Sequence, residues 1–185
     1  MLRWHYAQLG LECYSGRLIF FDESGLNLSM ARLYGRAPTC ERVLDDVPKN
    51  WGESITLIAG LSDDGMIAPM LIRGSLTGDA FIGYVRDFVA PQLREGDVIV
   101  LDNLGAHKVE AARREIEARG AAVLFLPPYS PDLNPIELAW SKLKSIIRRL
   151  RPRCLDDLVD AAATALRAIT SDDRQNWIAH ALRQN

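Results

Sequence analysis

Sulfur and imidazole are scarce in this chain of 185 residues, with three cysteines and three histidines. Cys13, Cys40 and Cys154 are odd in number and far apart, which excludes a disulfide framework and any zinc-finger spacing and leaves reduced thiols. No run of about 18 apolar residues occurs, so no membrane-spanning helix is expected. The opening "MLRWHYAQLGLECYSG" lacks the apolar core of a signal peptide, which makes the cytoplasm the expected location. Repeats and low-complexity tracts are absent as well. The net charge of −2 supplies no general attraction to nucleic acid.

What is present is the composition of an ordinary globular domain, 48% hydrophobic and 25% charged. A length of 185 residues suits one domain, or one domain with an appendage. The cations are unevenly spread. "KLKSIIRRLRPR", residues 142–153, holds six of them and no acid. A solvated helix face and a phosphate-binding surface are both open readings of that run.

Two segments share one form, an apolar run closed by an acid. "RLIFFD" ends at Asp22 and "DVIVLD" at Asp102, each the pattern of a strand buried on both faces. "ITLIAGL" and "MIAPMLI" flank "SDDG", which predicts a β-hairpin over 55–72 with an Asp-Gly turn. A short strand is expected over Met30–Tyr34, and loop over 37–53. Phe81, Val85, Phe88 and Val89 recur at helical spacing and predict a helix over 77–93, begun by Thr77 or Asp79. Helices are also expected over 108–119, stopped by Gly120, over 135–150, over 155–169 and over 171–182. "AAVLFLP" reads as a third buried strand. Strands separated by helices run parallel with right-handed crossovers. The expected fold is therefore α/β, a mixed sheet with an antiparallel hairpin on one side and parallel strands on the other. Its expected extent is 17–185, with residues 1–16 unassigned.

Parallel strands bring their C-terminal ends to one edge, where ligands bind in open α/β sheets. If the strands of Asp22 and Asp102 are neighbours, two carboxylates face each other there. Two like charges 4 Å apart repel by about 4 kcal/mol at an effective dielectric near 20. A divalent cation removes that repulsion, and oxygen ligands without a nearby thiolate or imidazole suit Mg²⁺ or Mn²⁺. A third acid, Glu137, is delivered by "LPPYSPDLNPIELAW", whose prolines at 127, 128, 131 and 135 restrict the chain before folding. Glu137 has a simpler reading too, as the third residue of a capping box with Asn134 at the N-cap and Pro135 following. The apolar stripe Ile136, Trp140, Leu143, Ile147 and Leu150 sets Glu137 at the margin of the buried face, toward the sheet edge. The helix N-terminus favours its ionised form. Glu23 is expected on the opposite face from Asp22, Asp132 in a turn and Trp140 in the core.

"FFDESG", "VLDNLGAHK" and "FLPPYSPDLNPIELAWSKLK" resemble the catalytic domain of mariner-superfamily insertion-sequence transposases, the DDE type with a ribonuclease-H-like fold. Thirty-four residues lie between Asp102 and Glu137, the spacing of the DD34E group. The similarity runs from about residue 17 to the C-terminus. It implies a catalytic, metal-binding triad of Asp22, Asp102 and Glu137 with two Mg²⁺ or Mn²⁺ ions, Asp22 bridging them. It implies cleavage of phosphodiesters at transposon ends and strand transfer into target DNA, with a homodimer or larger assembly on the DNA. Relatives begin with helix-turn-helix modules, and only 21 residues precede Asp22 here. A separate helix-turn-helix polypeptide from the same element is accordingly an expected partner. Candidate DNA contacts are Asn103, His107 and a stripe of Lys144, Arg148 and Arg151 beside Glu137. Two rivals stay open: a ribonuclease-H-like nuclease of another role, and an inactive DNA-binding remnant.

Overall fold

A computed structural model describes residues 17–32, 34–44, 46, 54–102, 110–128 and 130–183. Five strands, β1 (Leu18–Leu26), β2 (Ile55–Leu61), β3 (Met66–Arg73), β4 (Val98–Leu101) and β5 (Ala122–Phe125), form one sheet in the order β3-β2-β1-β4-β5. β1 pairs with β2, and β2 with β3, in antiparallel fashion, while β1–β4 and β4–β5 are parallel. The mixed sheet expected from the sequence is thus formed, with β1 at its centre.

β1 is longer than its apolar run. The expected strand stops at Asp22, whereas the observed one continues through the polar stretch to Leu26 because β2 pairs with it from Phe20 to Leu26. That partner lies some thirty residues onward, so no local signal announces the extension. Gly60 sits opposite Phe21, and a Cβ there would stand 2.7 Å from the Phe21 ring and 2.8 Å from Ile19. The hairpin turn closes between Ser62 and Gly65, which puts Asp63 and Asp64 at its centre instead of an Asp-Gly pair. Residues 30–32 and 34 form no strand, and among the described residues none pairs with them.

Side-chain alternation sends Phe20 and Leu26 to one face of β1 and Ile19 and Phe21 to the other. The second face is covered by α1 (Gly78–Tyr84) and α2 (Glu110–Glu117), through Phe81, Tyr84, Ala112 and Ile116. The first is covered by α3 (Ile136–Leu150), α4 (Leu155–Arg167) and α5 (Ser171–Arg183), through Trp140, Leu143, Ile147, Leu158 and Ile178. Thr77 caps α1 with its hydroxyl, which accepts from the Ala80 N–H at 3.3 Å. The single helix expected over 77–93 widens into a π turn at Val85–Val89 and ends in a 3₁₀ turn at Ala90–Gln92. Pro91 is the cause: it has no N–H, and its ring clashes with the carbonyl four residues earlier in a regular helix. α2 ends before Gly120, whose φ of 74° only glycine adopts without strain. Lys142 of α3 pairs with Asp173 of α5 and holds that carboxyl down at about 2, joining the two helices. Among the described residues no helix is long and apolar enough to cross a membrane.

Candidate active site

The parallel ladder between β1 and β4 ends at the pair Phe21–Leu101. Asp22 and Asp102 are the next residues on each strand, so the register sets them side by side. Alternation aims both toward α3, since Phe20 and Val100, two residues earlier on each strand, pack on that face. Asp22 lies within β1 and is only 8% exposed; Asp102, just past the end of β4, is half-buried. Asp22 therefore does not terminate its strand as expected. It terminates only the parallel half of its pairing, and β2 holds its other side through Ala59.

The loop from Pro127 enters a 3₁₀ turn at Pro131–Leu133 and reaches α3 through Asn134 and Pro135. Asp132 is exposed in that turn, in keeping with its expected place. Pro135 already has helical angles, φ −63° and ψ −20°, and Glu137 falls in the first turn of α3. No capping box forms. The Glu137 N–H donates to the backbone carbonyl of Asn134 at 3.1 Å, while the Asn134 side-chain oxygen is buried with no hydrogen-bond partner. The proline-stiffened entry leaves the side-chain cap unused, and Glu137 is left for other work. Its carboxylate is exposed, which corrects the expectation that it turns away from open solvent.

The three acids meet electrostatically at Asp22. Burial pushes its carboxyl up from an ordinary 3.8 to about 7, and the charges of Glu137, Glu23 and Asp102 push the same way. A hydrogen bond from the Glu23 N–H opposes them. Glu23 itself follows Phe21 onto the opposite face, as expected. The other fixed partner of Asp22 is Trp140, whose Nε1–H donates to Asp22 Oδ2 at 3.1 Å. Trp140 is the buried core residue that the apolar stripe predicts, 2% exposed. Its second role was missed, although a signal existed: Trp140 is the one stripe side chain with an N–H, and it stands one turn beyond Glu137.

Among the described residues no three acidic, histidine or cysteine side chains already form a metal cage. The donor set nonetheless fits a hard divalent cation. It is all oxygen, and its innermost carboxyl is raised to about 7 by burial first and by neighbouring like charge second, a charge that a cation would neutralise. Asn103 and His107 lie outside the described residues. Lys144 and Arg148 are half-buried on α3, on the same side as Glu137. Arg151 leaves that stripe: it is the C-cap of α3 in the left-handed conformation, φ 56° and ψ 55°. Helical spacing cannot be carried through a residue that ends the helix.

The sequence pattern of the DDE superfamily endonucleases matches residues 17–159, and the chain belongs to that family. No curated protein matches it in sequence. Among solved structures it is similar to the Mos1 transposase paired-end complex with the left transposon end, with a TM-score of 0.76 at 15% identity over 97% of this chain and 58% of that one. It is similar to the Mos1 mariner paired-end complex with Mn (TM-score 0.75, 17% identity, 98% of this chain and 59% of that one). The catalytic domain of Mos1 mariner transposase is matched with a TM-score of 0.69 at 15% identity, over 98% of this chain and 87% of that one. The fold is ribonuclease-H-like. The chain spans somewhat over half the length of the whole Mos1 chains and most of the catalytic domain alone.

Proposed function

We propose that residues 17–185 are the catalytic unit of a DNA transposase, with Asp22, Asp102 and Glu137 holding divalent cations, Mg²⁺ or Mn²⁺. The observation that carries this is Asp22 itself. A carboxyl in the core of the sheet, crowded by Glu137 and Asp102, costs the metal-free protein more than accepting one indole hydrogen bond requires. Support comes from Mos1 complexes with transposon-end DNA and with Mn.

The chemistry that such ions would supply is polarisation of the phosphodiester and activation of a hydroxyl nucleophile at neutral pH. The chain's own residues supply the frame. Asp22 is fixed from two sides by the Trp140 indole and the Glu23 N–H. Glu137, exposed at the start of a braced helix, stands where a DNA strand approaches, and Lys144 and Arg148 follow it along α3 to meet phosphates. Asn103, His107 and Arg151 remain candidate contacts. The protein would work in the cytoplasm, as a homodimer or larger assembly on transposon ends, with a helix-turn-helix polypeptide of the same element as a further partner.

The test begins with a search of the DNA around the gene for terminal inverted repeats and continues with cleavage of DNA that carries them, with Mg²⁺ or Mn²⁺. Supplied with its helix-turn-helix partner, wild-type protein should nick at the repeat ends and join the freed 3′-hydroxyl to target DNA, and Asp102→Asn should abolish both steps. Cutting without joining would favour a nuclease of another role. Absence of cutting with either metal, in a protein that binds DNA, would favour an inactive remnant.

A further inference from the structure

α3 presents two side chains to the site from a single turn. Glu137 and Trp140 are three residues apart, and residues at that spacing share a helix face. The Trp140 indole spans 118 positions of sequence to reach Asp22 and does so inside the core, with the donor and Oδ2 3.1 Å apart. An indole has one donor and no acceptor, so the contact fixes which oxygen of Asp22 points at α3. The Glu23 N–H holds the carboxylate from the strand side. The torsional freedom of Asp22 is thereby spent, and the helix that carries Glu137 is latched to the strand that carries Asp22. The prolines before α3 set its start, and the indole sets its depth against β1.

We infer that Trp140 is a positioning residue of the metal centre, orienting Asp22 and fixing the separation between Asp22 and Glu137. This rests on the reading of Asp22 as a metal-holding carboxylate. Partners of this kind orient first ligands, and their loss typically weakens metal binding by about 10–100-fold. Apolar packing alone predicts a different outcome: a Trp140→Phe change would loosen the core and leave metal affinity no worse than any other core change of similar size.

The experiment uses the whole chain. In ¹⁵N-labelled protein the four tryptophans give four indole resonances, and Trp140→Phe identifies the one from Trp140. That resonance should move in Asp22→Asn and on addition of Mg²⁺ to wild type. Titration calorimetry with Mg²⁺ should show affinity weakened about 10–100-fold in Trp140→Phe. In DNA cleavage the same variant should lose kcat and keep its KM for DNA. Ile147→Val, which removes a buried methyl from the same stripe without touching the donor, should bind Mg²⁺ as wild type does. An indole resonance indifferent to Asp22→Asn would overturn the inference, and this measurement needs no folded Trp140→Phe protein. So would normal Mg²⁺ affinity in Trp140→Phe alongside its abolition in Asp22→Asn, or an equal weakening in Ile147→Val. Mg²⁺ binding that survives Asp22→Asn would instead remove the proposed metal role of Asp22, and the inference with it.

Discussion

Replacing Asp22 by asparagine should make the metal-free protein more stable, by an amount that depends on pH. The folded protein holds the Asp22 proton up to about pH 7, and the unfolded chain releases it near 3.8. A group whose pKa is raised on folding stabilises the folded state relative to its own deprotonated form only at low pH. Stability is full below about pH 4, declines between about 4 and 7, and is level above that. At about 1.4 kcal/mol per pH unit the interval amounts to roughly 4 kcal/mol. Asparagine carries no charge and avoids this loss. It keeps one acceptor oxygen in place of two, and the lost acceptor costs about 1 kcal/mol. The balance favours the variant by roughly 3 kcal/mol at pH 8, or about 6–12 °C in Tm for a chain of this size. At pH 4 the variant should be level with wild type or slightly below it. Thermal and urea unfolding in EDTA, at half-unit intervals from pH 4 to 8.5, measures the difference. Mn²⁺ should close the gap at pH 8 by stabilising wild type alone. A difference that is flat across pH, or a variant less stable at pH 8, would refute the electrostatic account of Asp22.

The remaining expectations concern parts of the fold around this centre. Lys144→Ala and Arg148→Ala together should weaken binding to DNA of any sequence and flatten the plot of log affinity against log salt by up to about 1.8, at about 0.9 per phosphate; weaker binding at unchanged slope would mean a damaged fold. Arg151→Gly should be more stable than Arg151→Ala by roughly 1–2 kcal/mol, since both remove the side chain and only glycine relieves the left-handed backbone; equal unfolding midpoints would contradict the cap geometry. Gly60→Ala should destabilise by about 1–3 kcal/mol, because the added methyl meets Phe21 and Ile19 in a filled layer; a neutral change in urea unfolding would show that the layer yields there.

Much of this arrangement was readable from local pattern, and the failures share one cause. An apolar run closed by an acid is a local signal, and it located Asp22 and Asp102 on strands, while their adjacency stood as a condition that the sheet order meets. The spacing of Ile136, Trp140, Leu143 and Ile147 likewise placed the buried face of α3. What escaped depends on partners remote in sequence or on backbone geometry. β1 continues past Asp22 only because β2 pairs with it. The π turn at Val85–Val89 answers to a proline that, read by itself, signals only an end. Arg151 occupies a cap position where glycine is usual, and Pro152 after it signals the end of the helix without giving the left-handed turn. Glu137 was expected to be shielded, since periodicity gives the direction of a side chain and says nothing of how far neighbouring elements reach over it. The indole contact joins residues 118 positions apart, and only the folded sheet brings them together.

That last separation bears on how the protein comes into being. During synthesis the hairpin side of the sheet can assemble once Arg73 has left the ribosome, because β1, β2 and β3 lie close in sequence and pair antiparallel. The other side must wait for β4 and then for α3, and the carboxylates of Asp22 and Glu137 have no common frame until the indole of Trp140 reaches Asp22. A chain interrupted before that helix would hold a partial sheet and at most the two aspartates of the site, with no third acid beside them. On the proposed function, the ability to cut DNA is thus deferred to the last third of translation, and incomplete products of the gene should be inert toward DNA.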